Sequence, residues 1–252
     1  MVKSSDRRRE FQGDILQLTI EAFEALTPPD RALIDRVVKK GQREVAARRD
    51  IVREGDKPRA VSLLLEGWAC RYKQFPDGRR QIIGFHIPGD ICDSNIFVLD
   101  EMDHSMGAVT RLRYAEIGFD DFEVMVGQSP RIARALWWND QVNAAIAREW
   151  IANVGQRNAY ERIAHLICEM YVRLDAVGRT DDGHCEWPLT QSDLASATGL
   201  TAVHVNRTLQ ELRRDGLVEL RGRQLGIPDF AALKKAGGFT ANYLHLDGTQ
   251  RS

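Results

Sequence analysis

The chain has 252 residues, 43% hydrophobic and 28% charged, with 35 Lys and Arg against 36 Asp and Glu; these proportions suit a globular protein of one large or two modest domains and exclude wholesale disorder. A formal net charge of −1 gives no whole-chain signal for nucleic acid, so any basic surface must be local. No apolar run approaches the roughly 20 residues that cross a bilayer, and MVKSSDRRRE at the N-terminus has no apolar signal core behind it, so a cytoplasmic location is expected and no membrane partner.

Residues 1–14 are polar. From Ile15 to Leu26, apolar residues at Leu16, Ile20, Phe23 and Leu26 predict a short helix. Thr27-Pro28-Pro29-Asp30 is a helix start: a capping threonine, proline in the first turn, and an acid at the positive end of the helix dipole. Leu33, Val37 and Val38 supply the apolar face of that helix.

Between Glu44 and Phe119 the texture is β-rich. Val61–Leu65, Trp68–Phe75, Gln81–Ile87 and Gly107–Ile117 read as strands, punctuated by turns at Glu54-Gly55-Asp56, Glu66-Gly67, Pro76-Asp77-Gly78 and Pro88-Gly89-Asp90. Strands at this spacing predict a small sandwich or roll.

Ser129-Pro130 opens a long helix. Ile132, Leu136, Asn139, Asn143, Ile146, Trp150 and Val154 recur at steps of three or four, a seam that fits either an amphipathic helix lying on its own domain or a two-stranded dimer contact. Gly155–Asn158 interrupts it. Asn158-Ala-Tyr-Glu161 has the form of a capping box and starts a helix through Ile163, Ile167, Met170 and Leu174. Val177–Glu186 reads as a loop. The predicted divisions are 15–128 for the β-rich domain and its N-terminal helices, 129–157 for the long helix and hinge, 158–236 for a second domain, and 237–252 for a tail. The apolar spacing of Phe239–Leu246 suits a segment that folds back on that second domain.

Pro188 to Ile227 carries the most information. Thr190 and Asp193 open a short helix with Leu194 and Ala197 inward, Gly199 turns sharply, and Thr201 caps a second helix running to about Arg214. Asp215-Gly216 ends it, and Leu217–Leu220, then Arg221-Gly-Arg-Gln224 and Leu225–Ile227, read as a hairpin. Helix, turn, helix and two-strand wing make a winged helix-turn-helix. In the second helix Val205, Leu209 and Leu212 face inward at i, i+4 and i+7, so Val203, Asn206, Arg207, Gln210 and Arg214 face out. Arg207 suits guanine O6 and N7, Asn206 or Gln210 suits adenine, and Val203 suits a thymine methyl. Five arginines against three acids from Thr201 to Gln224 leave a modest basic patch, and helix starts at Thr190 and Thr201 add backbone donors for phosphates.

The other function classes find little support. The four cysteines, Cys70, Cys92, Cys168 and Cys185, form no C-x-x-C pair, and six scattered histidines form no H-x-x-x-H pair, so no metal site is expected. No nucleophile elbow, phosphate-cradling glycine loop or spaced acid pair suggests an enzyme. A signalling module whose helix-turn-helix contacts protein is the alternative to DNA binding; it would carry more apolar surface than Asn206 and Arg207 offer.

Arg53-Glu54-Gly55-Asp56, Pro88-Gly89-Asp90, Arg162-Ile163-Ala164 and the stretch LTQSDLASATGLTAVHVNRTLQELRRDGLVEL resemble the cyclic-AMP receptor protein / fumarate-nitrate regulator (Crp/Fnr) family over about residues 25–236. The resemblance implies an α+β chain: an N-terminal cyclic-nucleotide-binding-like β-roll sensor, a long dimerisation helix formed on the seam named above, and a C-terminal winged helix-turn-helix. It implies a homodimeric transcription regulator on duplex DNA with two-fold related half-sites, and RNA polymerase as a further partner. Arg207 falls on the family's base-reading arginine, and Thr190 and Thr201 on phosphate-facing caps; Gln191, Arg214, Arg221 and Arg223 complete the phosphate set. Where the family has a base-reading glutamate this chain has Val203, which cannot accept from cytosine N4, so the half-site should differ, with His204 and Asn206 as substitutes.

The sensor departs further. The family's nucleotide binders hold the phosphate with a Gly-Glu pair and an Arg-Ser or Arg-Thr pair; the matching positions here are Asp93-Ser94 and His104-Ser105. The arginine is missing and Asp93 adds repulsion, so cyclic AMP is not expected to bind in the usual mode. No cysteine precedes Cys70, so an iron–sulfur cluster is not expected either. Cys70 and Cys92 read as redox-sensing thiols or as small buried hydrophobes, and His86 as a strand residue with a local partner. The small-molecule or redox signal is not specified by the sequence.

Overall fold

The structure, a computed structural model, describes residues 25–94 and 96–246. The helix expected over Ile15–Leu26 lies outside the described residues except at its end, where Leu26 is buried. The chain divides into two compact units, one comprising residues up to Arg71 with Phe85–Asn143, the other Tyr72–Gly84 with Ala144–His245.

The first unit opens with α1 (Pro28–Gly41), capped by Thr27, whose backbone N–H donates to the Asp30 carboxylate at 2.9 Å. Strands β1 (Gln42–Val45), β2 (Asp50–Val52), β3 (Ala60–Glu66), β4 (Ala69–Gln74), β5 (Arg80–His86), β6 (Ile91–Cys92), β7 (Ser105–Ala108) and β8 (Leu112–Gly118) follow, then α2 (Phe119–Gln128). They form two four-stranded sheets, ordered β1-β8-β3-β6 and β2-β7-β4-β5. The single run predicted over Gly107–Ile117 is two strands, because the chain turns at Val109–Arg111. There the Val109 and Thr110 N–H groups donate to the Trp68 carbonyl at 2.7 and 3.2 Å. Gly67, at φ 85°, makes this possible: a Cβ there would stand 2.3 Å from the Arg111 carbonyl oxygen. The core joins Leu33, Ile34 and Val37 of α1 to Val61 and Leu63 of β3, Ile117 of β8 and Met125 of α2; each such side chain fully buried contributes about 1.5–3 kcal/mol.

The long helix α3 (Pro130–Gln156) spans both units. Four of the seven residues of its predicted seam are covered by their own chain. Ile132 and Leu136 belong to the first unit's core, Asn139 donates to the Ile91 carbonyl at 3.3 Å, and Trp150 is buried against the second unit's own residues. Those four side chains are covered by their own chain. Asn143 and Ile146 are half-buried, and Val154 is 37% exposed. The open apolar positions are Trp137 at 64% and Ile151 at 73%, with Ala144 and Ala147 between them. The three-four period is the same for an inner face and a dimer face, so spacing alone selected the inner one.

The second unit is built around α4 (Ala159–Ala176), whose capping box between Asn158 and Glu161 is present. Then come β9 (Thr180–Asp181), β10 (His184–Glu186), α5 (Gln191–Thr198), α6 (Ala202–Arg214), β11 (Glu219–Arg221), β12 (Gln224–Gly226) and α7 (Phe230–Gly237). The loop expected over Val177–Glu186 contains a hairpin: Asp182 and Gly183, at φ 45° and 77°, form its turn, and Asp-Gly is the residue pair that such a turn favours. A sheet ordered β11-β12-β10-β9 results. Residues 237–245 fold back on α4, with the Phe239 and Tyr243 rings 5.2 and 6.0 Å from the His165 ring.

Candidate nucleic-acid interface and sensor cavity

Helix α5 starts at Thr190, whose N–H donates to Asp193 at 3.0 Å in a reciprocal box, and ends at Gly199, left-handed at φ 66°. The Thr201 hydroxyl oxygen accepts the His204 N–H at 3.2 Å and starts α6. Val205, Thr208, Leu209 and Leu212 are buried beneath α6. Val203 is 81% exposed, Asn206, Arg207 and Gln210 are exposed beside it, and His204 is half-buried at the edge. The structure thus brings the predicted base-reading residues onto one open face.

Gln191 belongs to that face as well, its side-chain amide donating to Asn206 Oδ1 at 3.2 Å. The contact engages Asn206's acceptor and leaves its amide donors to a partner. Arg207 and Arg223 are exposed and have no ion pair among the described residues, whereas Arg214 stands 3.7 Å from Asp215 and Arg221 3.1 Å from Glu219. Arg207 therefore presents its guanidinium without an internal competitor.

Contacts between distant segments, which local spacing does not show, support this face. Arg213 donates to the Leu220 carbonyl at 2.6 Å and ties the recognition helix to the wing. The Tyr160 hydroxyl donates to Asp215 at 2.7 Å; burial and that carboxylate push the phenol up to about 12, so it remains a donor. Arg162 donates to the carbonyls of Thr198, Val154 and Arg157 at 2.6, 2.8 and 2.9 Å. The Gln81 amide, on the β4–β5 hairpin, donates to the Ala197 carbonyl at 3.4 Å.

In the first unit, the predicted effector residues do not share one open pocket. The Asp93 carboxylate pairs with Arg71 at 2.6 Å and with His104 Nε2 at 3.2 Å. Burial opposes ionisation of Asp93, yet the His104 hydrogen bond and the Arg71 charge hold its carboxyl down at about 2. The same bond raises the His104 pKa against the effect of burial. Ser94 donates to Asp140, and the Ser105 hydroxyl oxygen accepts the Glu54 N–H at 3.0 Å. Arg71 was missed because it reaches Asp93 from a different strand. A cavity of about 680 Å³ borders Asp93 and is lined by Ile51, Val52, Ser62, Cys92, Met102 and Met106, with Lys57 and Arg59 at its rim.

Cys70, Cys92, Cys168 and Cys185 are buried, and none is in a disulfide among the described residues. His86 is buried, its Nδ1 3.6 Å from Asp90, beyond hydrogen-bond range. Among the described residues no group of three His, Cys, Asp or Glu side chains is placed to hold a metal ion, and no helix is long and apolar enough to cross a membrane.

Residues 42–129 match the family model described as a cyclic nucleotide-binding domain, and residues 161–236 that of a Crp-like helix-turn-helix domain. The chain is 29% identical over 204 residues to the transcriptional activator protein FnrL of Cereibacter sphaeroides, covering 79% of this chain and 81% of that protein. It is 30% identical over 204 residues to the transcriptional activatory protein AadR of Rhodopseudomonas palustris, covering 77% and 79%. The solved structure of FixK2 from Bradyrhizobium japonicum superimposes with a TM-score of 0.71 at 25% identity, covering 79% of this chain and 98% of that one.

Proposed function

The chain belongs to the Crp/Fnr family of transcription regulators, and from that premise we propose that it binds its operators as a homodimer, reading bases through Arg207, Asn206, Gln210, His204 and Val203 of α6. Thr190, Gln191, Thr201, Arg214, Arg221 and Arg223 face the phosphates. The observation that carries this reading is the exposed Arg207, without an ion pair among the described residues, on a helix whose opposite face is buried. A bidentate arginine–guanine pair is worth about 1–3 kcal/mol of discrimination.

Two copies meet along Trp137, Ala147, Ile151 and Val154 of α3, apolar positions its own chain leaves exposed, with the half-buried Ala144 on the same stripe. The recognition helices then sit about 34 Å apart, one turn of DNA. The first unit biases the second through α3 and the Gly155–Asn158 hinge, a coupling of two sites through two states. RNA polymerase is the further partner, the setting is the cytoplasm, and no catalysis is assigned.

The effector is not cyclic AMP in its usual mode: Asp93 places a carboxylate, already paired, at the position that would meet a phosphate. Nor are Cys70 and Cys92 redox-sensing thiols, since both are 1% exposed and a sensor thiol must be reachable. Calorimetry with cyclic AMP tests the first statement; micromolar binding lost on Ser105→Ala overturns it. Selection of bound duplexes from a random pool tests the whole reading. Enrichment of inverted repeats spaced by one helical turn supports it, and no enrichment with or without cell extract defeats it.

A further inference from the structure

Asp93 holds a left-handed backbone conformation, φ 57°, which a non-glycine residue adopts only when its surroundings demand it. The demand is visible in its side chain. Arg71 of β4 and His104, ahead of β7, converge on this carboxylate, and all three side chains are at least four-fifths buried. The arginine is not exhausted by the contact: its Nη2 serves Asp93, while its Nε is buried without a hydrogen-bond partner among the described residues. A guanidinium presents its donors in a planar fork that suits two oxygens of one anion, and here the fork is half filled. Asp93 also borders the cavity of about 680 Å³, whose rim carries the exposed cations Lys57 and Arg59.

We propose that Arg71 and His104 form an oxyanion-binding site inside the sensor unit, which the chain's own Asp93 occupies as an internal ligand. The site takes a small oxyanion, a carboxylate or phosphate group, that bonds Arg71 Nη2 and Nε together with His104. Occupation by a tethered side chain holds this part of the β-roll in one conformation with no small molecule present, because a covalently attached anion loses little freedom on binding. The inference does not depend on DNA binding and is read without DNA.

The experiment uses the full chain with Asp93→Gly, which removes the anion and relaxes the left-handed position. Thermal unfolding is followed in chloride buffer and on titration with inorganic phosphate and, separately, formate. The expected result is a lowered midpoint that phosphate or formate restores saturably, by roughly 3–6 °C at ten times the dissociation constant. The unaltered chain shows no saturable gain, and neither does Asp93→Asn, whose amide still fills the space. Arg71→Ala in the Asp93→Gly background abolishes the rescue. A rescue no greater than that of equal ionic strength in chloride, or an equal gain in the unaltered chain, overturns the proposal. Should Asp93→Gly not fold in chloride, recovery of folded protein on refolding into phosphate replaces the midpoint, and no recovery counts against the site.

Discussion

Arg162 donates through Nη1 to the Thr198 carbonyl at 2.6 Å, and its Nη2 binds the carbonyls of Val154 and Arg157. One guanidinium thus joins the last turn of the long helix, the hinge and the C-terminal end of α5. Replacing it with alanine leaves three carbonyls short of a donor, and Arg162→Ala is expected to cost about 1–3 kcal/mol. Arg162→Lys recovers little, since a lysine lacks the planar fork. Urea unfolding of both variants checks this; equal stability of all three proteins would show the clamp to be inert.

Arg207→Ala should act on recognition alone. The residue is exposed and unpaired among the described groups, so the unfolding midpoint stays unchanged while preference at one base pair of each half-site falls by about 1–3 kcal/mol. Gel shifts on singly substituted operators measure it. Arg223→Ala, at a position proposed to face phosphate, is instead expected to weaken all sequences alike and reduce the salt slope by about one.

Ile151→Glu tests the proposed dimer face. At 73% exposure the change leaves the folded subunit intact, and burying an unpaired carboxylate between two helices opposes association. Sedimentation is expected to show a shift from dimer to monomer. An unaltered dimer would move the contact away from α3.

The Asp93–His104 contact has a pH window. A carboxyl whose pKa falls from 3.8 unfolded to about 2 folded stabilises the fold by roughly 2 kcal/mol. That contribution is full above about pH 4 and lost as pH falls through 2. His104, raised above its ordinary 6.5, contributes fully below 6.5 and loses its share as pH rises through the higher folded value. The pair is therefore worth most between about pH 4 and 6.5. Urea midpoints across this range should show the maximum in the unaltered chain and a flatter profile in Asp93→Asn.

Glu169 is fully buried, accepting from Trp150 Nε1 at 3.1 Å and from the Tyr243 hydroxyl at 3.0 Å. Burial pushes its carboxyl up in spite of these donors and of Arg173. Tyr243→Phe removes one donor from a buried carboxylate and is expected to cost about 1–3 kcal/mol. The Trp150 indole shares the same acceptor, so its fluorescence reports the change directly.

What could be read in advance followed from local chemistry. Thr27-Pro-Pro-Asp30 and Thr190 with Asp193 announced their helices because a cap and its acid lie within one turn of each other. The alternation of Val205, Leu209 and Leu212 with Asn206 and Arg207 assigned both faces of α6 for the same reason. Contacts between distant segments left no such trace. Arg71 is on β4 and Asp93 just after β6, and Arg162 and Thr198 are on different helices, so neither pairing has a spacing to recognise. The long-helix seam is ambiguous for another reason, since Ile132 and Trp150 obey the period of a dimer face while serving their own chain. The hairpin at Asp182-Gly183 was within reach, but strands of two and three residues are too short to show alternation.

Strand β12 pairs with β11 on one side and with β10 on the other, so one strand of the wing is internal to its sheet while β11 lies at the edge. The edge strand is tethered to α6 where Arg213 donates to the Leu220 carbonyl, one residue before Arg221. A tether of this kind surrenders part of the backbone entropy of the wing during folding and leaves less to be lost when a partner docks.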